Sequence, residues 1–333
     1  MATFGAALRL CAGLLALSTG VVLASVLLGG DGSTFVASWQ GLVSTADTPM
    51  RAIVHALRIP RALAAYGVGG LLALSGCLMQ ILVRNPLADP YTLGLSGGAA
   101  VGALGAMLAG AGAVATAAGA AVGALFACVA VFVLAHRDLI ARRRAAHRDD
   151  ATDLILIGVM LASGFGAIVS MMLVLAPDRN LRGMLFWMMG DLSGVASPWP
   201  PLLSMLAALV VAAPLGRQLN LLARGEESAS ALGVRPNAVK SAIFAIASLA
   251  TAVAVTTAGT VGFVGLVVPH ALRRVVGNDQ RVLMPASALC GGMLVVVADT
   301  ISRIVADPIQ LPVGAVMAII GVPTFLFLLV KRR

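Results

Sequence analysis

The sequence predicts an all-α polytopic membrane protein, and three observations carry that prediction. Of 333 residues, 59% are hydrophobic and 11% charged, with a mean hydropathy of +0.98. A soluble domain carries about 25% charged residues, so a water-facing surface of ordinary size cannot be built here. The apolar residues also come in long blocks, and a membrane span needs about 20 of them in succession. Finally, 37 glycines and abundant alanine suit helices packed closely in lipid, where small residues let backbones approach. With aromatics at 5%, no broad interfacial belt is expected.

Ten spans are expected, at roughly 8–28, 62–83, 92–110, 114–135, 154–176, 200–216, 239–257, 260–276, 282–301 and 313–330. The first contains the apolar run Leu10–Leu28 behind Arg9; its length and the lack of a small-residue cleavage site favour a span over a secretion signal. Residues 33–57, semi-polar with Trp39, Val43 and Leu57, read as a non-spanning helix. Asn85-Pro86 and Pro90 end the second span and open the third. Proline cannot continue a helix and biases its predecessor toward extended backbone. Such a break at membrane depth must face protein or the cytoplasmic rim. A second short non-spanning helix is expected at Leu181–Met189, ahead of Gly190-Asp191.

Charge placement orients the chain. Residues 136–150 hold five arginines, 217–240 four basic residues and 273–281 three, and the sequence closes on Lys331-Arg332-Arg333. In the ten-span arrangement these share one side with Arg84, which the positive-inside rule makes cytoplasmic, together with both termini. The net charge of +9 is therefore a topology signal and not a nucleic-acid footprint.

Energy and chemistry are sparse. Among fourteen acids only Asp299 lies well inside an apolar run, with Arg303 one turn on, and a structural ion pair at a span end is the favoured reading. Ion-coupled carriers usually place unpaired acids near midplane, and this chain does not. No P-loop, HExxH or catalytic triad pattern occurs, so an enzyme is disfavoured. Cys11, Cys77, Cys128 and Cys290 lie far apart in apolar stretches and suggest neither disulfide nor metal site. His55, near the outer entrance, could touch a haem iron, though a lone histidine is more often structural. Met79, Met160, Met171 and Met172 suit an adaptable path or ordinary core packing.

The 217–240 segment reads as a compact helix–turn–helix outside the membrane. Gly225 precedes Glu226 and Glu227, acids at the positive end of a helix dipole. Gly233 can close the turn in the left-handed conformation, and Pro236 can open another short helix. A docking element for a partner is preferred to a merely solvated connection.

Three segments together resemble the permease family of ATP-binding-cassette importers for cobalamin, ferric siderophores and haem. They are Arg58-Ile-Pro-Arg61 running to Arg84-Asn-Pro-Leu-Ala-Asp-Pro90 and Leu93-Gly-Leu-Ser-Gly-Gly98; Gly225-Glu-Glu-Ser-Ala-Ser-Ala-Leu-Gly233; and Gly262-Phe-Val-Gly-Leu-Val-Val-Pro-His270 through Leu311-Pro-Val-Gly314 and Gly321-Val-Pro323. The resemblance implies one permease domain over residues 1–333, pairing with a second copy around an interfacial path. It also implies two cytoplasmic ATP-binding subunits, which carry ATP and Mg, and a periplasmic substrate-binding protein. No cofactor or metal is implied on this chain. By the same resemblance, Arg58, Arg61 and Arg303 meet acids of the binding protein, a task suited to the planar guanidinium; headgroup snorkelling is the alternative. Gly225, Glu226, Glu227, Ala229, Leu232 and Gly233 form the coupling element that seats in the ATPase. Thr152 matches the cytoplasmic gate, where Ala151 departs from the family's paired hydroxyls. Haem or a ferric siderophore is the first expected cargo and cobalamin the next; an ion-coupled secondary transporter and a non-transporting scaffold are the competing classes.

Overall fold

The computed structural model describes residues 4–29, 33–141, 150–195 and 197–330, and these are helices and connections with no β-strand among them. α1 (Phe4–Leu27) is followed by α2 (Phe35–Val43). Then α3 (Pro49–Ile53), a π-turn at Val54–Arg58 and α4 (Ile59–Leu82) form one continuous 34-residue rod. A 3-10 turn at Pro90–Leu93 leads into α5 (Leu95–Leu108), and α6 (Ala113–Ala141), α7 (Asp150–Leu175) and α8 (Asp178–Met188) follow. α9 (Trp199–Ala212) continues through a 3-10 turn at Ala213–Leu215 into α10 (Gly216–Leu222). After α11 (Glu226–Ala231) come α12 (Pro236–Ala258), α13 (Val264–Val276), α14 (Gln280–Ile304) and α15 (Val313–Val330).

Helix starts follow local chemistry. Thr34 and Thr48 accept hydrogen bonds from Ala37 N and Arg51 N at the starts of α2 and α3, and Pro49 follows its cap in the first helical turn. Asp279 caps α14 by accepting from Arg281 N. The π-turn has a cause in Pro60. Proline has no N–H to give the carbonyl four residues back, and just ahead of it the ladder widens so that Ile59 N reaches Val54 O.

α4 is the axis of the bundle, buried without interruption from Ala64 to Leu82. Its small residues set how closely neighbours come. A Cβ on Gly69 would collide with Gly291 of α14, one on Gly67 with Pro201 of α9, and one on Gly76 with Gly265 of α13. Against α12, Ser75 donates to Ala247 O at 2.8 Å and lies 2.7 Å from Thr251 Oγ1. The same device joins α5 to α6 through two copies of one pentapeptide, Gly98-Ala-Ala-Val-Gly102 and Gly119-Ala-Ala-Val-Gly123. Running antiparallel, Gly98 faces Gly123 and Gly102 faces Gly119; a Cβ on Gly98 would lie 2.5 Å from Gly123 O.

Several expectations need correction. Residues 33–57 are not one separate non-spanning helix: Phe35–Val43 stands alone, whereas 49–58 is continuous with the span that follows. Seven helices among the described residues are long and apolar enough to cross a membrane; the expected spans 92–110, 260–276 and 313–330 are the shorter α5, α13 and α15. The first two are shortened because their opening residues are not α-helical. Pro90 packs against Gly265 beside Leu72 O, halfway along α4, so the chain after the Asn85-Pro86 break climbs back into the bundle. There it meets a second irregular stretch, 259–263, which contains Gly259 at φ 64 and Phe263 at φ 68. The Tyr91 hydroxyl accepts from Val261 N at 3.1 Å, Asp191 N donates to Ala258 O at 2.8 Å, and Val313 N to Gly190 O at 3.0 Å. These segments satisfy one another's backbone groups, the condition for irregular chain away from water. Pro236 opens the 23-residue α12 instead of a short helix.

Candidate functional site

Two polar clusters sit at opposite ends of α4, whose 24 residues separate them by about 36 Å at 1.5 Å per residue. One gathers the three arginines singled out in the sequence. Asp299, fully buried in α14, accepts from Arg61 Nε at 3.0 Å and Arg61 Nη2 at 2.8 Å, and lies 3.2 Å from Arg303 Nε. Arg61 also donates to Gln310 Oε1 at 2.8 Å. Arg303 reaches Ser25 Oγ at 2.9 Å and Ser25 O at 3.1 Å on α1.

Arg58 is turned into the protein. It donates to Ser38 Oγ at 2.8 Å, Ser33 Oγ at 2.6 Å and Val26 O at 3.2 Å. Arg58 and Arg303 are only 6% and 8% exposed, so this conformation commits their guanidiniums to internal partners. The cluster brings the three guanidiniums close to one another and to the Asp299 carboxylate. Asp299–Arg303 is the ion pair foreseen, but Arg61, 238 residues distant, is its principal partner. Ser25, Ser33, Ser38 and Gln310 carry no sequence signal that would have enlisted them.

At the other end lies the short helix α11. Gly225 enters it at φ 125, and Gly233 leaves it at φ 82 with Gly233 N donating to Ser230 O and Val234 N to Ala229 O, the paired bonds of a Schellman cap. Ala229 is buried against the bundle, while Leu232 is 66% exposed. The adjacent acids part company. Glu226 turns inward, with Oε1 2.5 Å from Arg84 Nη2 and 2.6 Å from Lys240 Nζ; Glu227 is exposed. Beside α11 a groove of about 550 Å³ is lined by Arg217, Leu221, Leu232, Val234 and Arg235. Nearby, Asn220 donates to Asp279 Oδ1 at 2.7 Å, tying the 217–235 segment to the start of α14, and the hydrogen bond from Arg281 holds the Asp279 carboxyl down at about 2.

The Asn85-Pro86 break lies between the clusters' supporting helices. Arg84, two residues past α4, stands at φ 52, Asn85 Oδ1 accepts from Leu87 N at 2.9 Å, and Asp89 Oδ1 accepts from Tyr91 N at 2.8 Å. His55 is exposed, its Nε2 3.4 Å from Leu42 O. Met79 is core, whereas Met160 and Met171 share the exposed face of α7. The Thr152 side chain and the basic segments 142–149 and 331–333 lie outside the described residues.

A helical bundle of membrane-crossing length, with a small capped helix strapped to one end and buried arginines at the other, is the build of a multi-pass membrane protein. The chain belongs to the FecCD transport family, matching it over residues 14–331. It is 42% identical over 286 residues to the cobalamin import system permease protein BtuC of Halobacterium salinarum, covering 84% of this chain and 74% of that one. With the vitamin B12 import system permease BtuC of Salmonella paratyphi A it shares 36% over 320 residues, 96% of this chain and 94% of that one. Among solved structures, a transporter assigned to the metal-chelate ABC type, in an inward-facing conformation, superposes with a TM-score of 0.83 at 28% identity, covering 97% and 99% of the two chains. Membership makes this chain an ABC importer permease, a transport subunit and not an enzyme.

Proposed function

We propose that this chain forms the path for a bulky metal chelate, cobalamin foremost, as one of two copies in an importer driven by two cytoplasmic ATP-binding subunits and fed by a substrate-binding protein. The single observation behind this reading is end-to-end similarity to permeases named for cobalamin import, which moves cobalamin ahead of the haem and siderophore first expected. Residues 1–333 act as one permease domain built on α4, with ten crossings in which α5, α13 and α15 complete the seven longer spans. Both termini face the cytoplasm, as the basic loops require.

In this reading α11, with Gly225, Glu227, Ala229, Leu232 and Gly233, seats in the ATPase, and Glu226 fixes its orientation. The exposed Leu232 and the adjoining basic groove suit a surface that a partner covers. Arg58, Arg61 and Arg303 receive the acids of the binding protein by exchanging internal partners for external ones; Arg61, at the rim, is the first to do so. Thr152 belongs to the inner gate. Asn85, Pro86 and Pro90 are structural. An ion-coupled carrier is disfavoured because Asp299, the acid buried within a described span, is held by two arginines and is unsuited to relaying protons.

The test is uptake in cells whose chelate permease is this chain, coexpressed with its ATPase and binding protein. Labelled cyanocobalamin should accumulate and be competed by cobinamide but not by haem or ferrichrome. Accumulation of haem or ferrichrome instead would reassign the cargo.

A further inference from the structure

α11 has six residues, too few to hold a helical shape or position by itself. Its inward side is fixed by buried Ala229 and by the two ionic contacts of Glu226. Those contacts lead to different places. Lys240 lies in the first turns of α12. Arg84 lies two residues past the end of α4, the buried axis, where the chain turns back into the bundle, in a positive-φ conformation that side-chain-bearing residues seldom adopt. Beyond it, Pro90 rests on Gly265 and Tyr91 is bonded to Val261 N, at the threshold of α13. One carboxylate thereby links a peripheral helix to the end of α4, the start of α12 and, through ten residues of pinned chain, the interior.

We propose that Arg84 is a positioning residue for transport: through Glu226, with Lys240 as the second anchor, it carries displacement of α11 into α4 and the irregular segment 85–94. The proposal rests on the reading of α11 as the ATPase-docking element. It separates two neighbouring acids by role, Glu226 facing the permease and Glu227 the partner. All three side chains are partly exposed, so the ionic contacts themselves add little stability; their use is to fix direction.

The experiment uses the full importer in proteoliposomes, measuring ATP hydrolysed and cyanocobalamin transported in the same preparation. Arg84→Gln should leave the ATPase bound in normal stoichiometry while transport per ATP falls about fivefold. An unchanged ratio overturns the proposal. If Arg84→Gln fails to give an assembled permease, the triple charge exchange Arg84→Glu, Glu226→Arg, Lys240→Glu decides: restored coupling supports the relay, and an uncoupled, assembled or unassembled product refutes it. Leu232→Asp tests the underlying reading separately. It should release the ATPase; retention of the ATPase would sink the docking reading, whatever Arg84→Gln does to the ratio.

Discussion

Asp299 stands among three guanidiniums, and removing its charge leaves the buried Arg303 and the rim-lying Arg61 without their shared carboxylate. Breaking a buried pair from one side costs about 3–5 kcal/mol, so Asp299→Ala should lower the unfolding midpoint of the detergent-solubilised protein sharply. Arg61→Gln, nearer the rim, should lower it less. Arg58 and Arg61 were legible because they stand in a dense motif, and Arg303 because it follows Asp299 by one helical turn. Asp299 as the partner of Arg61 was not, since nothing in a linear chain pairs residues 238 apart.

At the scale of elements, the sequence was a good guide where one residue type has one local use. Prolines and glycines marked the break at 84–90 and the two ends of α11, and the structure places turns there. It misled where a boundary depends on neighbours. Pro236 has the form of any helix start, and only burial of α12 against α4 and α6 makes that helix long. The expected spans at 92 and 260 began too early because apolar residues look alike in a helix and in irregular chain that tertiary contacts satisfy. The repeated Gly-Ala-Ala-Val-Gly was visible in the sequence but went unread, since its meaning lies in the antiparallel pairing of its copies. Gly102→Leu should drive α5 from α6 and destabilise the protein by more than the roughly 1–3 kcal/mol of ordinary overpacking, because backbone and not a flexible side chain lies opposite. Gly112→Leu, in open space at the α5–α6 connection, should leave the thermal midpoint unchanged.

For the whole molecule, composition alone dictated a multi-spanning helical protein, and the ordering of its motifs dictated the family. What stayed hidden was the arrangement around α4: a rigid, small-residue axis with an arginine cluster at one end and the Glu226 clamp at the other. In the proposed reading these ends are the stations for a binding protein and an ATPase, and Asp299, the acid buried within a described span, is held by two arginines. The central claim is therefore about energy. Purified permease, ATPase and cobalamin-loaded binding protein should be placed in sealed proteoliposomes, with ATP on the ATPase side and an ionophore collapsing all ion gradients. The account predicts undiminished cyanocobalamin transport that stops when ATP is replaced by a non-hydrolysable analogue; transport by the permease alone, abolished by the ionophore, would contradict it.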